Sequence, residues 1–132
     1  MSDFDPVHRV RVRYCDTDRM AVAHHGSYVL WFEEARSEWF RRRGKSYREM
    51  EEEGDLLQVV DLQCRYHSPV DYDDIVEIAV SVRELKRVSV TLAYECRRAP
   101  DGALCATGST KLACVGRDGR VRRLPAGFAW DS

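Results

Sequence analysis

The chain has 132 residues, 44% hydrophobic and 33% charged, with 21 Lys and Arg against 22 Asp and Glu and a formal net charge of -1. That length suits a single domain spanning 1–132 and leaves little room for two. Balanced charge excludes the usual footprint of a nucleic-acid or polybasic membrane protein, the apolar fraction excludes wholesale disorder, and no apolar run approaches the roughly 18–20 residues that membrane insertion needs. Met1 to Val7 carries two acids and no apolar core, so no secretory signal is expected and the reading is cytoplasmic.

From His8 to Tyr14, Val10, Val12 and Tyr14 alternate with Arg9, Arg11 and Arg13, which predicts a half-buried strand. The arginine row reads as a solvated or interface-facing sheet edge rather than a nucleic-acid patch, given the net charge. Cys15 to Gly26 is irregular and polar. A helix is predicted from near Ser27, placed as its N-cap. Tyr28, Trp31, Phe32, Ala35 and Trp39 recur at three- and four-residue intervals and form one apolar face, which Val29 and Phe40 widen to more than one contact surface. Glu33 and Glu34 lie towards the helix start and Arg41, Arg42 and Arg43 at its end, matching the macrodipole, with Gly44 as C-cap. A short helix follows from Tyr47 to Glu53 and stops at Gly54.

The rest reads as four strands. Val60, Leu62, Cys64 and Tyr66 alternate with polar residues, as do Val76, Ile78, Val80 and Val82, then Val88, Val90, Leu92, Tyr94 and Cys96. Leu104, Ala106, Gly108, Thr110 and Leu112 follow less cleanly. Pro100-Asp-Gly102 predicts a hairpin and Asp118-Gly119 a further turn. One long apolar helix and about five antiparallel strands predict a two-layer α+β domain. A doubly wound sheet is disfavoured because the helices come as a block, and no glycine-rich phosphate loop is present.

The five cysteines, Cys15, Cys64, Cys96, Cys105 and Cys114, are widely spaced and include no CxxC pair. Four fall in predicted strands, where a thiol packs as a small hydrophobe. Neither a disulfide framework nor a zinc site is expected from that spacing.

The densest polar stretch runs from Tyr14 to Tyr28 and joins a strand end to the start of the main helix. Free N–H groups at a helix start stabilise developing negative charge. Asp16, Asp18, His24 and His25 could supply a carboxylate and a general acid or base beside them, a set suited to attack on a carbonyl. The bland alternative is local: Asp-x-Asp is common turn chemistry, and the histidines would then merely frame the helix entry.

Arg13-Tyr-Cys-Asp-Thr-Asp18, Val22-Ala-His-His25, Ser27-Tyr28 and Phe32-Glu-Glu-Ala-Arg36 together resemble the signature of hotdog-fold acyl-CoA thioesterases, in particular the 4-hydroxybenzoyl-CoA thioesterase-like branch with its bacterial Tol-Pal-associated members. Tyr66-His-Ser-Pro-Val-Asp-Tyr-Asp-Asp74 and Lys86-Arg-Val-Ser89 resemble the family's entry to the third strand and its turn before the fourth, and the likeness runs to about Leu124. It implies a hotdog fold, with an antiparallel sheet wrapped around a helix over Tyr28 to Arg43. It also implies a homodimer at minimum, expected here as a homotetramer, with active sites at the dimer interface.

Residue by residue, Asp18 matches the family's catalytic carboxylate, as nucleophile or as base for water. His25 matches the helix-entrance histidine, with a backbone N–H near it as oxyanion donor. Tyr14 matches an active-site tyrosine that would position Asp18 or water, and Asp16 a structural acid. Lys86 and Arg87 match a basic turn that would meet the phosphates of coenzyme A. No cofactor or metal is implied; the acyl-CoA is substrate. The sequence departs from the pattern at Met20-Ala21, where the family carries glycine, at His24, where it is often aromatic, and at Gly26, where it has a small residue or proline. These departures bear on acyl specificity. An acyl-carrier-protein thioesterase is the first alternative, with Arg41 to Arg43 facing an acidic carrier; a non-catalytic acyl-CoA-binding module is the second. A hotdog hydratase is disfavoured because its Asp-to-His motif is not apparent.

Overall fold

The computed structural model describes residues 4–18, 23, 25–126 and 130. In chain order it contains β1 (His8–Arg11), a single 3-10 turn (Tyr14–Asp16), α1 (His25–Arg43), α2 (Tyr47–Glu52), β2 (Leu56–Tyr66), β3 (Ile75–Leu85), β4 (Ser89–Ala99) and β5 (Ala103–Val115). The strands form one five-stranded sheet in the order β1-β3-β4-β5-β2, and every neighbouring pair is antiparallel. This is the α+β arrangement expected. No helix among the described residues is long and apolar enough to cross a membrane.

The 3.6-residue period of α1 decides what it buries. Tyr28, Trp31, Phe32, Ala35, Trp39 and Phe40 all face the core, each of the larger ones contributing about 1.5–3 kcal/mol on full burial. The helix runs across the sheet. Its first residue meets Tyr66 on β2, Phe32 stacks on Tyr94 of β4 with ring centroids 4.4 Å apart, and Glu34 pairs with His8 of β1 at 2.9 Å. Phe40 adds a second contact surface, against Tyr47 and Trp130. Gly44, at φ 140°, ends the helix as expected, its N–H donating to the Phe40 carbonyl.

Three expectations are corrected. Ser27 is not an N-cap: α1 starts at His25, and the buried Ser27 hydroxyl donates instead to the Asp16 carbonyl at 2.9 Å. The first strand ends at Arg11 rather than Tyr14, because the chain leaves the sheet through a bond from Val12 N–H to the Asp74 carbonyl and then closes the 3-10 turn. The predicted inner face of β2 is open: Val60 is 56% exposed, Leu62 39% and Tyr66 43%. β2 is the edge strand, and a bulge between Val59 and Asp61 breaks its alternation.

The basic runs are answered locally. Arg9, Arg11 and Arg13 pair with Glu77, Asp73 and Asp16. Arg41 and Arg42 reach Glu38, and the Arg43 guanidinium lies over the Trp39 ring. The short α2 carries a capping box the sequence reading missed, with Ser46 and Glu49 exchanging bonds.

Two core features explain residues that break the pattern. Arg36 is buried, and its Nε donates to the Tyr47 hydroxyl at 2.8 Å; Tyr94 shares a 2.6 Å hydroxyl bond with Thr110. Burial pushes the phenols of Tyr47 and Tyr94 up, so neutral groups solvate the guanidinium. Gly108 stands under the Phe32 ring, where a β-carbon would lie 2.5 Å from Phe32 and 2.7 Å from the Gln63 carbonyl. Gly108→Ala therefore lowers stability by about 1–3 kcal/mol through overpacking, measured as a lower urea midpoint at unchanged slope; an unaltered midpoint would remove this close approach from the account.

Candidate active site

The loop between β1 and α1 is built on a buried acid. The carboxylate of Asp16, 3% exposed, accepts from the Arg13 backbone N–H at 2.8 Å and from its guanidinium at 3.1 and 3.3 Å. These bonds hold the 3-10 turn shut and give Asp16 the structural role expected of it. The ion pair in turn holds the Arg13 pKa above its ordinary value, chiefly through the hydrogen bond to Asp16.

Two contacts then bring the two ends of the loop together, and one between them anchors it to Val70. Thr17 and Ala23 form an antiparallel bridge, the Ala23 N–H donates to the Val70 carbonyl at 2.8 Å, and Ser27 on the first turn of α1 bonds the Asp16 carbonyl. Asp18 follows Thr17 on one side of the bridge, and His25 opens α1 on the other. Both are exposed. An accessible carboxylate and a helix start, whose first-turn N–H groups have no carbonyl acceptor within the helix, are thus tied to one short loop. Met20, Ala21 and His24, where the sequence departs from the family pattern, lie outside the described residues.

β2 supplies what the sequence reading missed. The Tyr66 hydroxyl donates to the His25 carbonyl at 3.2 Å, and the two rings lie 4.5 Å apart. Tyr28, on the next face of α1, meets Tyr66 edge-on at 5.5 Å. Burial pushes the Tyr28 phenol up; partial desolvation and the neighbouring Cys64 thiol raise Tyr66 to about 12. Both are neutral near pH 7. Cys64, Cys96 and Cys105 have pKa values raised by burial, as expected of packed thiols. Tyr66 stood in plain view in the β2 alternation, but its period places it only on a face; the contact with His25 needs the tertiary fold.

Of the other expected residues, Tyr14 is on the same loop and Lys86 and Arg87 are far along the sheet. Tyr14 leaves the 3-10 turn 79% exposed, its ring edge-on to Tyr72 at 5.9 Å. Lys86 and Arg87 form the exposed β3–β4 turn, with Lys86 3.3 Å from Glu84. Register places that turn at the other end of the sheet. Tyr66 aligns with Ala106 and Cys96, whereas the turn flanks Val90, six residues along β4 and so about 20 Å away. The Leu124 N–H donates to the Arg87 carbonyl at 3.0 Å, which brings the chain carrying Arg122 and Arg123 alongside; the sequence reading gave these no role.

A concavity of about 860 Å³ is lined by Phe4, by Trp39 and Arg43 near the end of α1, and by Arg83, Glu95, Arg97 and Ser109 of the sheet. It holds none of Asp18, His25 and Tyr14, so its size does not make it the site of this chemistry. Among the described residues, no group of three or more His, Cys, Asp or Glu side chains is placed to hold a metal ion. Tyr66 and Tyr28 wall the helix start on the side of β2, the edge strand of the sheet.

Residues 20–105 match the family model described as the thioesterase superfamily. The acyl-CoA thioesterase YbgC of Haemophilus influenzae is 33% identical over 107 residues, covering 80% of this chain and 77% of that protein. Two crystal structures superpose with a TM-score of 0.84: a hypothetical protein of Aquifex aeolicus, 31% identical over 89% of this chain and 91% of that one, and the DHNA-CoA thioesterase of Staphylococcus aureus, 35% identical over 89% and 78%. With the curled five-stranded sheet laid against one long helix and the matched stretch running from the site loop through β4, this chain belongs to the thioesterase superfamily and has its hotdog fold.

Proposed function

We propose that the chain hydrolyses the thioester of an acyl- or aroyl-CoA, giving coenzyme A and the free acid, at the N-terminus of α1. The observation that supports this reading is the exposed Asp18, next in the chain to a Thr17–Ala23 bridge that ties the loop to the approach of α1. The printed activities of similar proteins, an acyl-CoA thioesterase and a DHNA-CoA thioesterase, support it. The membership of the Tol-Pal-associated, 4-hydroxybenzoyl-CoA-like branch is proposed on the residues Tyr14, Asp18 and His25.

The chemistry follows from the parts. Addition to a thioester carbonyl puts a negative charge on its oxygen, and first-turn N–H groups near His25 stabilise it together with the helix dipole. Asp18 either takes a proton from water as the hydroxide adds to carbon, or adds itself to form an anhydride that water then opens. In both routes the C–S bond breaks, the thiolate leaves and takes a proton, and one water is consumed. Tyr14, at the mouth of the loop, orients Asp18 or the water. His25, Tyr28 and Tyr66 present an aromatic wall to the acyl group.

The assembly is a homodimer paired through β2. This edge strand is eleven residues long and carries exposed Val59, Val60 and Leu62, with Val29 and Leu30 exposed on α1; an unprotected apolar edge of that length needs a cover. A two-fold pairing sets β2 antiparallel to its copy, so the partner's far sheet end, with its Lys86 and Arg87 turn, comes to the end where His25 stands. The 20 Å separation within one chain then becomes the reach of an extended coenzyme A across two. Small Ala79, Ser81 and Ala93 on the opposite sheet face give dimers a surface on which to form a homotetramer.

Thiol release from 4-hydroxybenzoyl-, phenylacetyl-, acetyl-, hexanoyl- and palmitoyl-CoA tests the reaction. The wild type turns over at least one of them, and Asp18→Asn loses at least about a hundredfold in kcat with its melting temperature retained; a near-normal rate would take Asp18 out of the mechanism. Light scattering tests the assembly: the wild type is a dimer or larger, and Leu62→Lys, which sets like charges across the proposed pairing, gives a folded monomer without activity. A wild-type monomer would contradict the shared site.

A further inference from the structure

Tyr66 holds a position that packing does not explain. It lies near the end of the edge strand and is 43% exposed, outside the buried core. Its hydroxyl is nonetheless spent on a backbone carbonyl, that of His25, at 3.2 Å. In an α-helix the carbonyl of residue i accepts from the N–H of residue i+4, so α1 itself offers this carbonyl a donor. The phenol bond is not needed to satisfy a stranded acceptor. What it adds is position, because it ties the first residue of α1 to a strand on the far side of the loop. The same side chain lays its ring 4.5 Å from the His25 imidazole and 5.5 Å from Tyr28. One residue therefore grips both the backbone and the side chain at the helix start.

The loop side of that start is held by Ser27 and the Thr17–Ala23 bridge. The Tyr66 bond adds a tie from another element, joining the first residue of the helix to β2, at whose open edge substrate would enter. We infer that Tyr66 is a positioning residue, whose hydroxyl latches the first turn of α1 and whose ring seats His25, so that the oxyanion donors there are set before substrate arrives. The inference rests on the thioesterase reading and adds to it a residue from a different element. Because partial desolvation holds the phenol at about 12, it remains a donor throughout the neutral range.

The experiment compares Tyr66→Phe and Tyr66→Ala with wild type in steady-state thiol release from the best acyl-CoA of the panel, alongside melting temperatures. Phe keeps the ring and removes the latch. It lowers kcat about five- to tenfold, the scale of one hydrogen bond, with KM within about twofold of wild type and the melting temperature little changed. Ala removes the ring as well and lowers kcat further. A Tyr66→Phe enzyme with wild-type kcat overturns the inference, as does a loss confined to KM or to thermal stability. If Tyr66→Ala does not fold, the Phe variant alone decides. A wild type that releases no thiol from any substrate overturns the thioesterase reading and the inference with it, whereas an active wild type with an unaffected Phe variant overturns the inference alone.

Discussion

The site depends on one short buried bond, from the Ser27 hydroxyl to the Asp16 carbonyl. A helix start is useful for binding negative charge only if its first turn is held still and something reactive is held beside it. Asp16 does the first half of this by closing the 3-10 turn on Arg13. Ser27 then fastens α1 to that turn, and the Thr17–Ala23 bridge brings the loop ends together. Asp18 inherits its place from these contacts. The two acids of the Asp-Thr-Asp segment thus have opposite environments two residues apart: Asp16 is buried and bonded by Arg13, Asp18 exposed. Asp16 is engaged in building the loop, and Asp18 stands exposed at the surface.

The second constraint is the sheet order. With β2 at one edge and β1 at the other, α1 starts at one border of the sheet and crosses towards the other, so its N-terminus sits beside an unpaired strand. A single chain offers the helix start an aromatic wall from Tyr66 and Tyr28. The exposed Val59, Val60 and Leu62 lie on that same border, so the dimer proposed above would cover the apolar edge. A two-fold axis perpendicular to β2 would also exchange the ends of the sheet and so bring the partner's basic turn towards the helix start.

Much of this was legible in the sequence because it is periodic or local. The α1 face, the strand alternations and the stops at Gly44 and Gly54 follow from 3.6- and two-residue repeats and from glycine at positive φ. The assignment of Asp16 as a structural acid came from family likeness rather than spacing, and its burial accords with that. Ser27 was misread because a serine before an apolar helix usually caps it, whereas here a tertiary acceptor takes its hydroxyl. The open face of β2 was hidden for a related reason: alternation shows that one face is apolar and is silent on which element covers it. Tyr66 illustrates the limit most clearly, since its strand face was evident and its bond to His25, forty-one residues away, was not. Gly108 falls in the least regular of the strand alternations, and the Phe32 ring lying against it leaves no room there for a side chain.

The most direct measurement of the central claim is a crystal structure of the Asp18→Asn protein with an acyl-CoA analogue whose thioester sulfur is replaced by methylene. The account predicts the analogue's carbonyl oxygen within hydrogen-bond distance of a first-turn N–H of α1, its carbonyl carbon facing Asn at position 18, and its acyl group against Tyr66 and Tyr28. A carbonyl bound away from that helix start, for instance in the concavity lined by Phe4 and Arg97, would contradict it.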